Sequence, residues 1–275
     1  MNKSSPTWLH FQPFFQIPME QTAPRCNIER QADGVVVITF ENGRLNLLTE
    51  EACAVYTQAL RELSRCESTR LLIVQGGTSA FLGGADIKFL KDAGKAEIDA
   101  YIRGVHGLCE QLRDLPFPTM SVISGYCLGA GMEVAAVCDI KVAEAGAKFG
   151  MPEVKLGVPS VIHGAMLPGM IGMTRTRDLL LSGRMIPAHL ACEWGLITDV
   201  APDGELQQRT AQWRHELLEG APRAMRIQKQ LIRNWERMPL QEAISIGIDA
   251  LVSAYETDEP KQYMETFLQN RKRAR

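Results

Sequence analysis

The chain has 275 residues, a net charge of −2 and 45% apolar residues. That length suits one large domain, or a domain with an appendage, and buries a core without staples. The near-neutral charge excludes an overall basic field for nucleic acid, and no apolar run reaches the ~18 residues of a membrane span without a break.

Residues 1–25 read as an irregular leader, with Trp8, Phe11, Phe14 and Phe15 set among prolines 6, 13, 18 and 24. No basic segment precedes an apolar one, so a secretory signal is not expected, and arginine is too scarce for a transit peptide. Residues 27–30 and 35–41 flank the turn Ala32-Asp33-Gly34 and predict a β-hairpin. A loop follows at 42–46. Thr49 is a suitable N-cap, and Ala52, Val55, Tyr56, Ala59, Leu60 and Leu63 repeat at helical spacing over 50–64. Leu71 to Gln75 is a buried strand, and 76–86 reads as a glycine-rich loop. Helices are expected at 87–90 and 96–114.

Thr119 to Ile123 is an apolar strand that runs into Ser124-Gly125-Tyr126-Cys127-Leu128-Gly129-Ala130-Gly131-Met132-Glu133. This reads as a tight glycine turn with a helix opening beneath it. Glycine there lets backbone approach a ligand, and the first N–H groups of a helix lack intrahelical acceptors. Strands follow at 140–143 and 148–150. The order strand, strand, helix recurs about three times before residue 160, which predicts stacked ββα turns with parallel pairing. From 163 the pattern is almost wholly helical: 163–171, 174–182, 187–193, 204–219, 221–235, 239–254 and 258–271, with one strand at 196–200. Pro202-Asp203-Gly204 marks the boundary between a core at 26–202 and a helical region at 203–275.

Seven cysteines are an odd number, with no C-x-x-C pair and no histidine at metal-ligand spacing. They read as mostly buried free thiols of a reducing compartment, so the cytoplasm is the expected location and no metal is expected.

Four separated motifs resemble those of the crotonase (enoyl-CoA hydratase/isomerase) superfamily. Ala80-Phe81-Leu82-Gly83-Gly84-Ala85-Asp86-Ile87-Lys88 is similar to F-x-A-G-A-D-I/L. Gly125 through Glu133 is similar to G-x-x-x-G-G-G-x-E, and Asp139 through Glu153 to D-x-x-x-A…F-G-x-P-E. Asp258 through Lys272 is similar to the family's C-terminal helix. The resemblance implies an α/β crotonase (ClpP/crotonase-like) spiral of ββα turns with a C-terminal helical trimerisation region. It implies an oxyanion hole made by the Ala85 and Ala130 N–H groups, and a pair of catalytic acids, Glu133 and Glu153. Two carboxylates in one site do not both ionise easily, so such a pair can share a proton and hold a water. The reaction implied is hydration of a 2-enoyl-CoA. Coenzyme A enters as part of the substrate, and no separate cofactor is needed.

For coenzyme A, the resemblance points to Gly83 C=O and Ile87 N–H for the adenine, with Asp86 between them. Arg44 and Lys88 are candidates for the phosphates, and Lys272 for a contact often made to a neighbouring subunit. It also implies a homotrimer or a dimer of trimers, for which the apolar face Leu240, Ala243, Ile244, Gly247, Ile248 and Leu251 is suited. The clearest departure follows Glu153. Val161 and Ile162 stand where the family often has glycines, so a reshaped acyl pocket is expected, with crotonyl-CoA a poor substrate. His163 reads as structural, and His106 has no partner nearby in sequence. Two other readings fit the motifs. One is a different reaction through the same enolate: isomerisation, decarboxylation or retro-aldol cleavage. The other is a non-catalytic binding subunit of the same fold.

Overall fold

The structure is a computed structural model that describes residues 23–273; most of the expected leader, residues 1–22, lies outside the described residues. The chain opens with the hairpin β1 (Arg25–Arg30) and β2 (Val35–Glu41), paired antiparallel as the turn predicts. After β3 (Leu47–Leu48), Thr49 accepts a hydrogen bond from the Ala52 N–H and caps α1 (Glu50–Ser64). Of the predicted stripe, Ala52, Tyr56, Ala59, Leu60 and Leu63 are buried and Val55 is partly buried. Each fully buried leucine contributes about 1.5–3 kcal/mol.

β4 (Leu71–Gln75), β5 (Ala80–Leu82) and β6 (Gly84–Ala85) lead into α2 (Ile87–Asp92) and α3 (Lys95–Arg113). β7 (Thr119–Ile123), β8 (Tyr126–Leu128) and α4 (Ala130–Ala136) form the next turn. β9 (Ile140–Glu144) and β10 (Lys148–Gly150) follow, then 3-10 turns at Glu153–Leu156 and Ile162–Met166. The chain continues through α5 (Leu167–Ser182), β11 (Met185–Pro187), α6 (Ala188–Trp194) and β12 (Asp199–Ala201). It ends in α7 (Leu206–Glu219), α8 (Pro222–Trp235), α9 (Leu240–Ala254) and α10 (Glu259–Arg273).

Successive turns send one strand to each of two sheets. The larger sheet runs β1-β2-β4-β7-β9-β12 and is parallel from β2 onward. The smaller runs β11-β10-β8-β5, and β3 pairs with β6 beside it. This is the expected spiral. The main core lies between the helices and the two sheets, where Tyr56, Leu60, Val105, Leu108, Phe81 and Phe149 pack together.

Three expectations change. The glycine-rich segment 76–86 contains β5 and β6, and the turn after β7 contains β8. Strands of two or three residues show no period of their own, and their partners are distant in sequence. A helix starting at 163 gives way to the 3-10 turn, because Pro168 suits the first turn of α5 rather than a helix interior. α5 then runs through a kink at Gly172. The strand expected at 196–200 is shifted to 199–201: Leu196 and Ile197 are buried, and their N–H groups bond back to Ala191 O.

α7 and α8 pack back on the core. Trp213 and Leu217 cover Val35, Leu71 and Val142, and the Lys229 Nζ donates to Asp139 Oδ2 and Phe117 O. α9 and α10 instead expose Leu240, Ile248, Leu251, Val252, Tyr255 and Phe267. Among the described residues no helix is long and apolar enough to cross a membrane.

Candidate active site

α4 is seven residues long, and Gly131 through Ala136 are all buried. A helix buried on every side carries whatever polar residue it holds into the interior. Glu133 is therefore only 4% exposed. Its Oε1 accepts a 2.8 Å hydrogen bond from the Gly164 N–H, and burial pushes its pKa up to about 8, with the Glu153 charge adding to the rise.

Glu153 opens the first 3-10 turn after β10 and is half-buried. Its Oε2 accepts from the Ser160 hydroxyl at 2.8 Å. Burial raises its pKa as well, against the pull of that hydroxyl. Its Oε1 lies over Gly129, so close that a Cβ there would collide with it. Gly129 also holds φ +53°, which glycine adopts without a Cβ penalty. Glu153 thus meets the chain at the start of α4, four residues from Glu133.

Ala130 is the first residue of α4, so its N–H has no acceptor within the helix. Ala85 ends β6, which packs against α4, and a Cβ on the preceding Gly84 would lie 3.8 Å from Ala130 N. The fold therefore brings Ala85, Ala130, Glu133 and Glu153 to one place from three separate turns of the spiral.

The expected coenzyme residues fall on neighbouring segments. The Gly83 N–H donates to Leu45 O and Asn46 O, which seats the 42–46 loop on the strand that leads to α2. Asn46 fixes that loop: its Nδ2 donates to Phe40 O and Phe81 O. Asp86 caps α2 by accepting from the Lys88 N–H, and Ile87 is the first residue of that helix. Arg44 and Lys88 are exposed beside this junction. Lys272 falls in the last turn of α10, and its side chain lies outside the described residues.

Sequence reasoning passes over Ser160, Gly164, Asn46 and Glu110. No local pattern marks them, because each acts on a residue brought near by folding. His163 is 6% exposed, and its Nε2 lies 2.8 Å from Glu110 Oε1 on α3. The His106 ring stacks against it with centroids 5.4 Å apart. Together His106, Glu110 and His163 bring potential ligand atoms within 4.8 Å of one another, a grouping that sequence spacing does not show. Ile162, beside His163, has φ +39°. A β-branched residue in that region is strained, at a cost of about 1–3 kcal/mol.

Known proteins carry the same arrangement of elements. The sequence model described as enoyl-CoA hydratase/isomerase matches residues 30–274. The chain is 31% identical over 205 residues to the enoyl-CoA isomerase/hydratase fer4 of Mycosarcoma maydis, covering 74% of this chain and 75% of that one. It is 27% identical over 252 residues to a short-chain-enoyl-CoA hydratase of Clostridium acetobutylicum, covering 90% and 96%. The crystal structure of an enoyl-CoA hydratase from Bacillus anthracis superposes with a TM-score of 0.85 at 25% identity, covering 89% and 96%. With this fold, these motifs and a match across nearly the whole chain, the protein belongs to the enoyl-CoA hydratase/isomerase family.

Proposed function

We propose that the protein hydrates a 2-enoyl-CoA to a 3-hydroxyacyl-CoA. The observation that carries this reading is the meeting of two buried or half-buried glutamates, Glu133 and Glu153, beside the start of α4. Burial raises the pKa of both, and the Glu153 charge adds to the rise at Glu133, which favours holding a proton in the site; that proton belongs to the pair rather than to one residue. A water held between them loses a proton to one carboxylate as its oxygen attacks Cβ. The other carboxyl delivers a proton to Cα on the same face, so the addition is syn.

Between these steps negative charge collects on the thioester oxygen. The N–H groups of Ala85 and Ala130 are the donors assigned to it, and the loss of one such donor typically costs about 3 kcal/mol in the transition state. Gly83 C=O, Asp86 and Ile87 N–H bind the adenine end, Arg44 and Lys88 the phosphates, and Lys272 reaches the coenzyme A of a neighbouring subunit. No metal or redox cofactor enters this scheme. The core at 26–202 carries the chemistry. The region 203–275 joins subunits into a trimer or dimer of trimers through the exposed apolar faces of α9 and α10. The free cysteines suit the reducing cytoplasm.

A panel of enoyl-CoA thioesters tests the reading, with products identified as well as substrate loss. The expected product is the 3-hydroxyacyl-CoA, with crotonyl-CoA below the best substrates because Val161 and Ile162 stand where the family often has glycines. A shifted double bond, or chain cleavage, without hydration would move the protein to another reaction of the family.

A further inference from the structure

The turn 160–164 touches both glutamates and α3 at once. Ser160 donates to Glu153, and the Gly164 N–H is shared between Glu133 Oε1, at 2.8 Å, and Val161 O of the same turn, at 2.9 Å. Between them Ile162 holds φ +39° and His163 is buried against Glu110. A strained backbone persists only where its surroundings over-determine it. Among the described residues, the one buried side chain of this turn that bonds another helix is His163.

We infer that the His163–Glu110 pair is a clamp that holds Ile162 in its left-handed conformation and thereby keeps the Gly164 N–H on Glu133. His163 is a positioning residue in this account, and the inference rests on the catalytic reading of Glu133.

The bonding on each side fits a clamp. Glu110 does not swing freely: Arg113 lies 3.6 Å from Oε1, and Arg233 and Arg237 lie 3.6 and 3.7 Å from Oε2. Asp114 and Glu236 pair with Arg233 and Arg113, so the surrounding charges balance. Burial favours neutral His163, and the Nε2–H tautomer donates to Glu110. Nδ1 then has no hydrogen-bond partner among the described residues. A metal ion shared by His106, Glu110 and His163 would have to displace this bond, and Arg113 already faces the same Glu110 oxygen. The clamp needs no such rearrangement.

The geometry sets up a double-mutant cycle with its own signature. Glycine at 162 takes a positive φ without strain, so the clamp has less to hold. His163→Ala is expected to lower kcat by about 10²-fold with KM little changed, as a small misplacement of a reacting group does. In the Ile162→Gly background the same substitution is expected to cost roughly tenfold less, because no strain drives the turn away. Glu110→Ala repeats the pattern from the other partner.

The alkaline limb of the kcat–pH profile is expected to move up in His163→Ala, since Glu133 loses an N–H that favours its charged form. The groups facing Glu133 are Glu153 and, from α3, Tyr101 and Cys109; those facing His163 are Glu110, His106 and Arg113. Amide exchange at Gly164 reads the clamp without turnover and is expected to accelerate in His163→Ala, and less so in the double variant. Equal losses in both backgrounds, with Gly164 exchange unchanged, would overturn the clamp. So would stoichiometric Zn²⁺ binding to the wild type that is lost in Glu110→Ala. Wild-type hydration by Glu133→Gln would instead overturn the catalytic reading, while the exchange measurement still decides the clamp.

Discussion

The Gly164 N–H donates to Glu133 Oε1 at 2.8 Å, across 31 residues of sequence. Glu133 lies on a helix buried from Gly131 to Ala136, and this bond only partly offsets the cost of burying the carboxylate. Several consequences of that balance can be measured.

Burial of Glu133 makes stability depend on pH. Its folded pKa, about 8, lies above its ordinary value of 4.5, so the folded state binds the extra proton between those limits. The associated stability is fully present below about pH 4.5 and falls as pH rises toward 8. Glu133→Gln removes that fall and keeps an oxygen for the Gly164 N–H. Its melting temperature is expected to exceed that of the wild type by an amount that grows from pH 5 to 8. The gain at neutral pH is on the order of 1–3 kcal/mol. Equal pH dependence in thermal melts of the two proteins would contradict this.

Ser160 supports the second glutamate. Ser160→Ala removes the hydroxyl that favours ionised Glu153, so the Glu153 pKa rises further. A hydrogen bond to a charged group contributes about 1.5–3 kcal/mol, so a loss of roughly tenfold or more in kcat at mildly acidic pH is expected. The acidic limb of the profile should move to higher pH. An unmoved limb would remove Ser160 from the site.

Lys229 ties α8 to the core. Its side chain is 9% exposed and bonds Asp139, which in turn accepts from the Thr119 N–H and hydroxyl. Lys229→Met is expected to destabilise by about 1–3 kcal/mol, the lower range reflecting the partial exposure of Asp139. Denaturant titration checks it, and the spectrum of the folded protein should be unchanged.

The exposed apolar faces of α9 and α10 suit the proposed contact between subunits. Ile248 is 61% and Leu251 65% exposed. Ile248→Glu with Leu251→Glu is expected to convert an assembly of three or six 30.5 kDa chains to smaller species by light scattering. A wild type that runs as a monomer would contradict the proposed assembly.

Long periodic elements were legible in the sequence. The stripe Ala52–Leu63 marks α1 to the residue, because its burial follows helical spacing. The apolar runs at 71–75 and 119–123 read as the strands they are. Glu133 and Glu153 stood out through the motifs around them. What was not legible depends on distant contacts. β5, β6 and β8 are too short for a period, and their ladders join segments 22 to 46 residues apart. Gly164, Ser160 and Glu110 carry no local signature, since each is defined by the atom it meets. The 3-10 turn at Ile162–Met166 joins a local bond, Gly164 N–H to Val161 O, with tertiary bonds from His163 and Gly164 that no local pattern shows.

The most direct test is steady-state hydration of the best enoyl-CoA substrate by wild type, Glu133→Gln and Glu153→Gln, each confirmed folded by thermal melt. The two-glutamate account predicts that kcat falls by at least about 10²-fold in each variant, as loss of a general acid or base does. Hydration near the wild-type rate in both variants would contradict it.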